Sequence, residues 1–356
     1  MPGRGERAYV YAKTCGIIGK SFVGKRISQL SSVSRLSELD RLVFPDSFRD
    51  LPERELLVDL ERRILGRSVG QILNIVNVYK KPPELLIRLL RVYEYADLKS
   101  ALIALAGGER AAPKWTRLER FGTVHFEAYP DLKAMLKNTE FDFLLKDAPG
   151  AARVFGTEQP VSGNAAAPDS EIDSISMQTK LDRHYYAALW KSLLKLPRRD
   201  RDGIGKILEE EISLRNVIWA LRLRTYYRME AEDVKEHLVF IEKRKGKSLA
   251  QDALDSLELP LDTRPAWEKW RRSGFLNRES PDEHWTADPR YFQNGASLYL
   301  YRMARLYFRR RPVSIDTPAC FIKLKQYEED LLTSMAEGLG LGIPSRDVFS
   351  LLEFES

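Results

Sequence analysis

One helical signature recurs three times along the chain, and it limits the possible folds more than any other feature. Glu94, Leu98, Lys99, Leu102 and Leu105 follow one another as acid, Leu, base, apolar, apolar. Glu210, Leu214, Arg215, Ile218 and Leu221 repeat that order at the same offsets, and Glu328, Leu332, Thr333, Ala336 and Leu339 give a fainter third copy. Spacings of four and three put the apolar members of each set on one helix face. The first glutamates lie 116 and 118 positions apart in a chain of 356 residues. Division into near-equal thirds is the mark of internal repetition. The spacing predicts three helical repeats, over 1–109, 110–229 and 230–356.

Within each repeat the order is short helices, a helix with Leu or Tyr along one face, then the long motif helix. A first helix is expected over 6–23. Ser34 and Glu38 form a loose capping signal at the start of a short helix. Pro52 and Glu53 open a helix carrying Leu56, Leu57, Leu60 and Ile64 at helical period. The first motif helix is expected to run from about Glu84 to Ala106 and to stop at Gly107-Gly108 in a left-handed turn. The β-like cluster Phe121–Tyr129 reads as a turn or short extended piece before a helix at 130–137, and Pro344 starts a final helix through Leu352. Residues 150–174 are rich in Gly, Ala, Pro, Ser, Asn and acids, which predicts a surface loop or flexible insertion. No series of strands and no strand–helix alternation is present, so the fold class is all-α.

No apolar run approaches the ~18 residues needed to cross a bilayer, and Lys13, Lys20 and Lys25 interrupt any signal-peptide pattern. Cys15 and Cys320 are too few and too distant for a disulfide framework, which suits a reducing cytosol. The net charge of +6 is a modest surplus, enough to favour an acidic partner or an anionic membrane surface.

Chemistry-bearing patterns are sparse. The four histidines, His125, His184, His237 and His284, form no pair at metal-binding spacing. His184 beside Tyr185 and Tyr186 reads as a half-buried structural histidine. Gly16-Ile17-Ile18-Gly19-Lys20-Ser21 lacks the glycine that a phosphate loop needs five places before Gly19, where Thr14 stands, so it reads as a helix end. Neither a metal nor a cofactor is expected. The glutamates of the motif admit two readings: surface charges pairing with a neighbouring helix, or acids directed into a shared axial cavity. The clusters Arg271-Arg272, Arg309-Arg310-Arg311 and Arg222/Arg224/Arg228 alternate with aromatic residues. They read either as helix-end arginines favoured by the helix dipole or as a single-stranded nucleic-acid surface. No nucleic-acid motif accompanies them.

Several short words of sequence are similar to one known family. Tyr9-Val10-Tyr11-Ala12-Lys13, Tyr93-Glu94-Tyr95-Ala96-Asp97-Leu98-Lys99, Leu181-Asp182-Arg183-His184-Tyr185-Tyr186 and Glu210-Glu211-Ile212-Ser213-Leu214-Arg215-Asn216-Val217 stand in the order and spacing of the C subunit of V/A-type rotary ATPases, called d in eukaryotes. Thr333 departs from the basic residue usual there, and the middle copy lacks the terminal glycines. The resemblance implies three helical units around a pseudo-threefold funnel whose mouth receives the central stalk and whose base rests on the membrane proteolipid ring. It implies a non-catalytic subunit, peripheral on the cytoplasmic membrane face, that transmits torque for ion translocation. Glu94, Glu210 and Glu328 would then mark the stalk-facing funnel wall. Arg271, Arg272, Arg309, Arg310 and Arg311 would face the ring or the membrane. The partners implied are stalk and ring subunits, without nucleic acid or direct nucleotide binding. A free-standing helical-repeat scaffold or RNA-binding protein is the alternative.

Overall fold

The computed structural model describes residues 3–146, 168–243, 246–277 and 284–351. Helix accounts for 68% and strand for 1%, which places the chain in the all-α class. Strand is confined, among the described residues, to a two-residue antiparallel pair, Glu242–Lys243 with Lys247–Ser248. The chain forms two compact units: Met1–Leu86 with Trp190–Ser356, and Ile87–Leu189.

All three copies of the signature lie on helices: Val92–Ala106, Asp202–Tyr226 and Asp316–Gly340. The first was expected to begin at Glu84. The structure has Glu84–Leu90 and Val92–Ala106 as separate helices with a turn at Arg91. The interruption is slight, because the Arg91 amide still donates to the Ile87 carbonyl at 2.9 Å and the Tyr95 amide to the Arg91 carbonyl at 3.1 Å.

The predicted stop at Gly107-Gly108 is a full Schellman turn. Gly108 has φ +75°, the Glu109 amide donates to the Ala104 carbonyl at 2.9 Å and the Gly108 amide to Leu105 at 3.0 Å. The third motif helix closes in the same way around Gly342, φ +76°, with Ile343 donating to Gly338 at 2.9 Å and Gly342 to Leu339 at 3.0 Å. Both glycines sit fourteen positions after the motif glutamate. The second helix runs one turn further and ends on a non-glycine left-handed residue, Arg228, φ +53°.

The third motif helix is the centre of the larger unit. Every residue from Asp316 to Lys325 is buried, so this half of the helix is covered on all sides. It packs against Glu53–Val76 and Pro289–Arg310. Its C-terminal half seals a core with the start of the chain: Leu331, Leu332, Met335 and Ala336 meet Phe22, Leu30, Leu36, Leu39, Leu56 and Leu60. The second motif helix packs on Pro289–Arg310 and Gln251–Leu257. The second motif helix thus packs on helices that follow it in the chain, and the third on one that precedes it and one near the start of the chain.

Two local expectations change, at 168–174 and at 130–137. Most of the expected insertion, 150–167, lies outside the described residues, but 168–174 form the first turns of a helix, Pro168–Leu194. Pro168, Asp169 and Glu171 make a helix-start pattern that the loop reading passed over. The helix expected over 130–137 is shorter, Leu132–Leu136. The Leu132–Leu136 helix is capped by the Asp131 carboxylate, which accepts the Ala134 amide at 3.0 Å.

Candidate functional site

The motif glutamates are joints. Glu94 is 2% exposed. One carboxylate oxygen accepts the Val124 amide at 2.8 Å and also the Thr123 amide; the other pairs with Arg91 at 2.6 Å. Arg91 reaches on to Glu140 at 2.7 Å, and Arg88 binds Glu140 at 2.6 Å. Against the burial that would raise it, these two arginines hold the Glu140 carboxyl below its ordinary pKa. An alternating array of two acids and two bases thus fixes the Val92–Ala106 helix to the loop at 123–124 and to the segment around Glu140. Buried charges persist only when paired and hydrogen-bonded in this way.

Glu328 repeats the arrangement in the larger unit. It is 2% exposed, one oxygen accepts the Phe22 amide at 2.6 Å, and the other pairs with buried Lys325. Burial, followed by the nearby Arg67 charge, pulls the Lys325 ammonium down to about 7. The Glu329 charge opposes that pull, and the Glu328 carboxylate lies directly against the ammonium. In both copies the base stands three residues before the acid, Arg91 before Glu94 and Lys325 before Glu328, so helix geometry brings the two together.

Glu210 differs because Ile207 occupies the equivalent place. Its base comes from sixty-two positions downstream: Arg272 donates to Glu210 at 2.6 Å and to Asp252 at 2.6 Å. Asp252 also accepts from Ser213 at 2.8 Å. Burial works against the Arg272 charge, yet its bonds to Glu210 and Asp252 hold its pKa above the ordinary arginine value. Lys323, also buried, is matched by Glu211 at 2.7 Å.

The basic residues singled out by sequence divide into two kinds. Arg272 is buried in the joint just described. Arg311 is half-buried, bound to Asp202 at 2.6 Å. Arg271 is exposed and lies at 3.4 Å from Glu210. Arg309 and Arg310 are exposed at the end of Pro289–Arg310. His184 is half-buried, its Nδ1 2.6 Å from the Tyr95 hydroxyl, with Phe141 and Phe143 against its ring. Burial lowers its pKa. Arg91, Lys325 and Asp252 are the joint residues that sequence reading missed. The base three places before the acid was the available signal for the first two, and no local signal marks the third.

Among the described residues no group of three or more His, Cys, Asp or Glu is placed to hold a metal ion, and no helix is long and apolar enough to cross a membrane. The fold and its joints define an all-helical protein whose buried charges serve its own packing. The chain belongs to the ATP synthase (C/AC39) subunit family, whose model matches residues 49–348. That family comprises non-catalytic subunits of V/A-type rotary ATPases. The chain is also similar to an uncharacterised protein of Treponema pallidum (strain Nichols), 27% identical over 339 residues that cover 94% of this chain and 92% of that one.

Proposed function

We propose that the protein is the central-stalk subunit that links the rotating shaft of a V/A-type ATPase to its membrane proteolipid ring. It carries torque between ATP turnover in the soluble head and ion translocation, and it performs no reaction of its own. The family match over 49–348 is the observation that carries this reading. The buried joints support it, because a torque-bearing body must resist twisting and paired charges inside close-packed helices deform little.

In this reading the chain is peripheral on the cytoplasmic membrane face and its three helical repeats surround a pseudo-threefold funnel. The helices bearing Glu94, Glu210 and Glu328 supply the wall that receives the shaft, and the glutamates act by holding those helices to their neighbours. Arg271, Arg309 and Arg310 are the exposed bases left to meet the ring or anionic headgroups, where each adds roughly 1 kcal/mol. Arg272 and Arg311 act from behind that surface through their ion pairs.

Affinity purification of the tagged chain from its own cells tests the proposal. Stalk and proteolipid subunits should come down with it in fixed ratio. Their absence from the eluate, while the ATPase stays intact in the extract, would end the proposal, and recovery of RNA instead would favour the RNA-binding alternative.

A further inference from the structure

A second charged feature of the larger unit is not absorbed by torque transfer. A pocket of about 530 Å³ is walled by Arg4, Arg7, Arg199 and Arg311 around a single carboxylate, Asp200. Three separate stretches build it: the first helix, the segment before the second motif helix and the loop before the third. We propose that this pocket binds a phosphate-type oxyanion, in a site independent of the rotary reading.

The guanidinium groups are only partly matched. Arg7 meets Asp200 loosely, at 3.3 and 3.4 Å. Arg311 gives one nitrogen to Asp202 at 2.6 Å and another to the Arg199 carbonyl at 2.9 Å. The side chains of Arg4 and Arg199 have no ion-pair or hydrogen-bond partner among the described residues. With Arg311 matched by Asp202, the guanidiniums of Arg4, Arg7 and Arg199 are left to share Asp200, a surplus of positive charge that a further anion would offset. Their planar forks match phosphate oxygens two at a time, which a lysine cluster does not do.

Size and neighbourhood favour a small anion. The volume falls within the range of small-molecule sites. A second pocket of about 250 Å³ shares Arg7 and Asp200 and adds Lys81, Lys195 and Glu84, whose carboxylate pairs with Lys195 at 2.5 Å. The further base that Lys81 brings beside the first pocket suits two linked phosphates better than one. Val313, on the wall, holds φ +66°, a left-handed conformation that is strained for a β-branched residue. Strain of this kind gathers at ligand-binding loops. Recognition here would come from side chains, consistent with the absence of a glycine-rich phosphate loop.

The shared chemistry is a phosphate group, either free or on a lipid. Calorimetric titration of the full chain with pyrophosphate and with inorganic phosphate at low salt is the direct test. Saturable one-site binding is expected, with pyrophosphate the tighter ligand. Arg4→Ala/Arg199→Ala should weaken it ~10-fold or more while leaving the melting temperature of the unliganded protein unchanged. Arg54→Ala/Arg302→Ala, the same charge change at exposed positions outside the pocket, should keep full affinity. Sedimentation with phosphatidylcholine vesicles, with and without phosphatidic acid, separates the sources. Binding that needs phosphatidic acid and is lost in Arg4→Ala/Arg199→Ala assigns the site to a lipid headgroup; anion binding without vesicle binding assigns it to a free phosphate. Failure to bind either anion or the vesicles overturns the site, as does equal weakening in both double variants.

Discussion

Glu94, Glu210 and Glu328 occupy one place in the sequence pattern but carry different structural loads. Glu328 forms a close ion pair with buried Lys325 and also holds the Phe22 amide. Removing one partner of a buried pair costs about 3–5 kcal/mol, so Glu328→Ala should lower stability by that amount in urea unfolding. Arg272 keeps Asp252 when Glu210 is removed, so Glu210→Ala should cost clearly less; an equal loss would contradict this account of the second joint. Asp97 supplies a pH test. Burial raises its carboxyl from 3.8 to about 6, although it accepts the Thr116 amide at 2.6 Å and the Thr116 hydroxyl at 3.2 Å. The folded chain thus holds this proton more tightly than the unfolded chain. Asp97 therefore makes stability fall as pH rises from 3.8 to about 6, with the full penalty above that window. Asp97→Asn keeps an acceptor for the Thr116 amide and should gain stability relative to the parent at pH 7.5 but not at pH 3.5. Urea midpoints at the two values give the comparison.

Helix ends show how one motif tolerates two solutions. Gly108 and Gly342 close the first and third motif helices in left-handed turns that cost glycine little. Arg228 closes the second in the same region with a Cβ in place, at a cost of roughly 1–2 kcal/mol. Arg228→Gly should therefore raise the melting temperature, and Gly108→Ala and Gly342→Ala should lower it. Three changes of the same sign in thermal unfolding would refute the cap assignment. Close approach, by contrast, governs Gly203, where an added Cβ would come within 2.7 Å of the Asp316 carboxylate, while at Gly205 the nearest atom is 3.7 Å away.

At the scale of the molecule, the two ends of the chain fold as one body. Phe22, Leu30, Val33, Leu36, Leu39 and Val43 are buried in a core with Leu331, Leu332, Met335 and Ala336. Fully burying such side chains contributes about 1.5–3 kcal/mol each, and six of them rival the 5–15 kcal/mol by which a whole domain is stable. Deletion of residues 1–48 leaves the family-matched region nearly untouched. It should nevertheless abolish cooperative unfolding and expose surface that binds a hydrophobic dye. A truncated chain that melts in one sharp transition at the parental temperature would show that this end is dispensable.

Helical class, the three motif helices, the Gly108 stop and the apolar face of each motif were legible in the sequence. All of them depend on contacts within a few residues along the chain, where periodicity and glycine placement act directly. The base at i−3 in two copies belongs to the same range and could have been read. What tertiary structure alone decided was partner choice over long separations: Glu328 with the amide of Phe22, Glu210 with Arg272, and four arginines from three stretches around Asp200. A carboxylate's place on a helix face fixes its direction. Which distant amide or guanidinium meets it follows from how whole helices pack, because a buried charge settles only where packing brings an opposite charge or a donor to it.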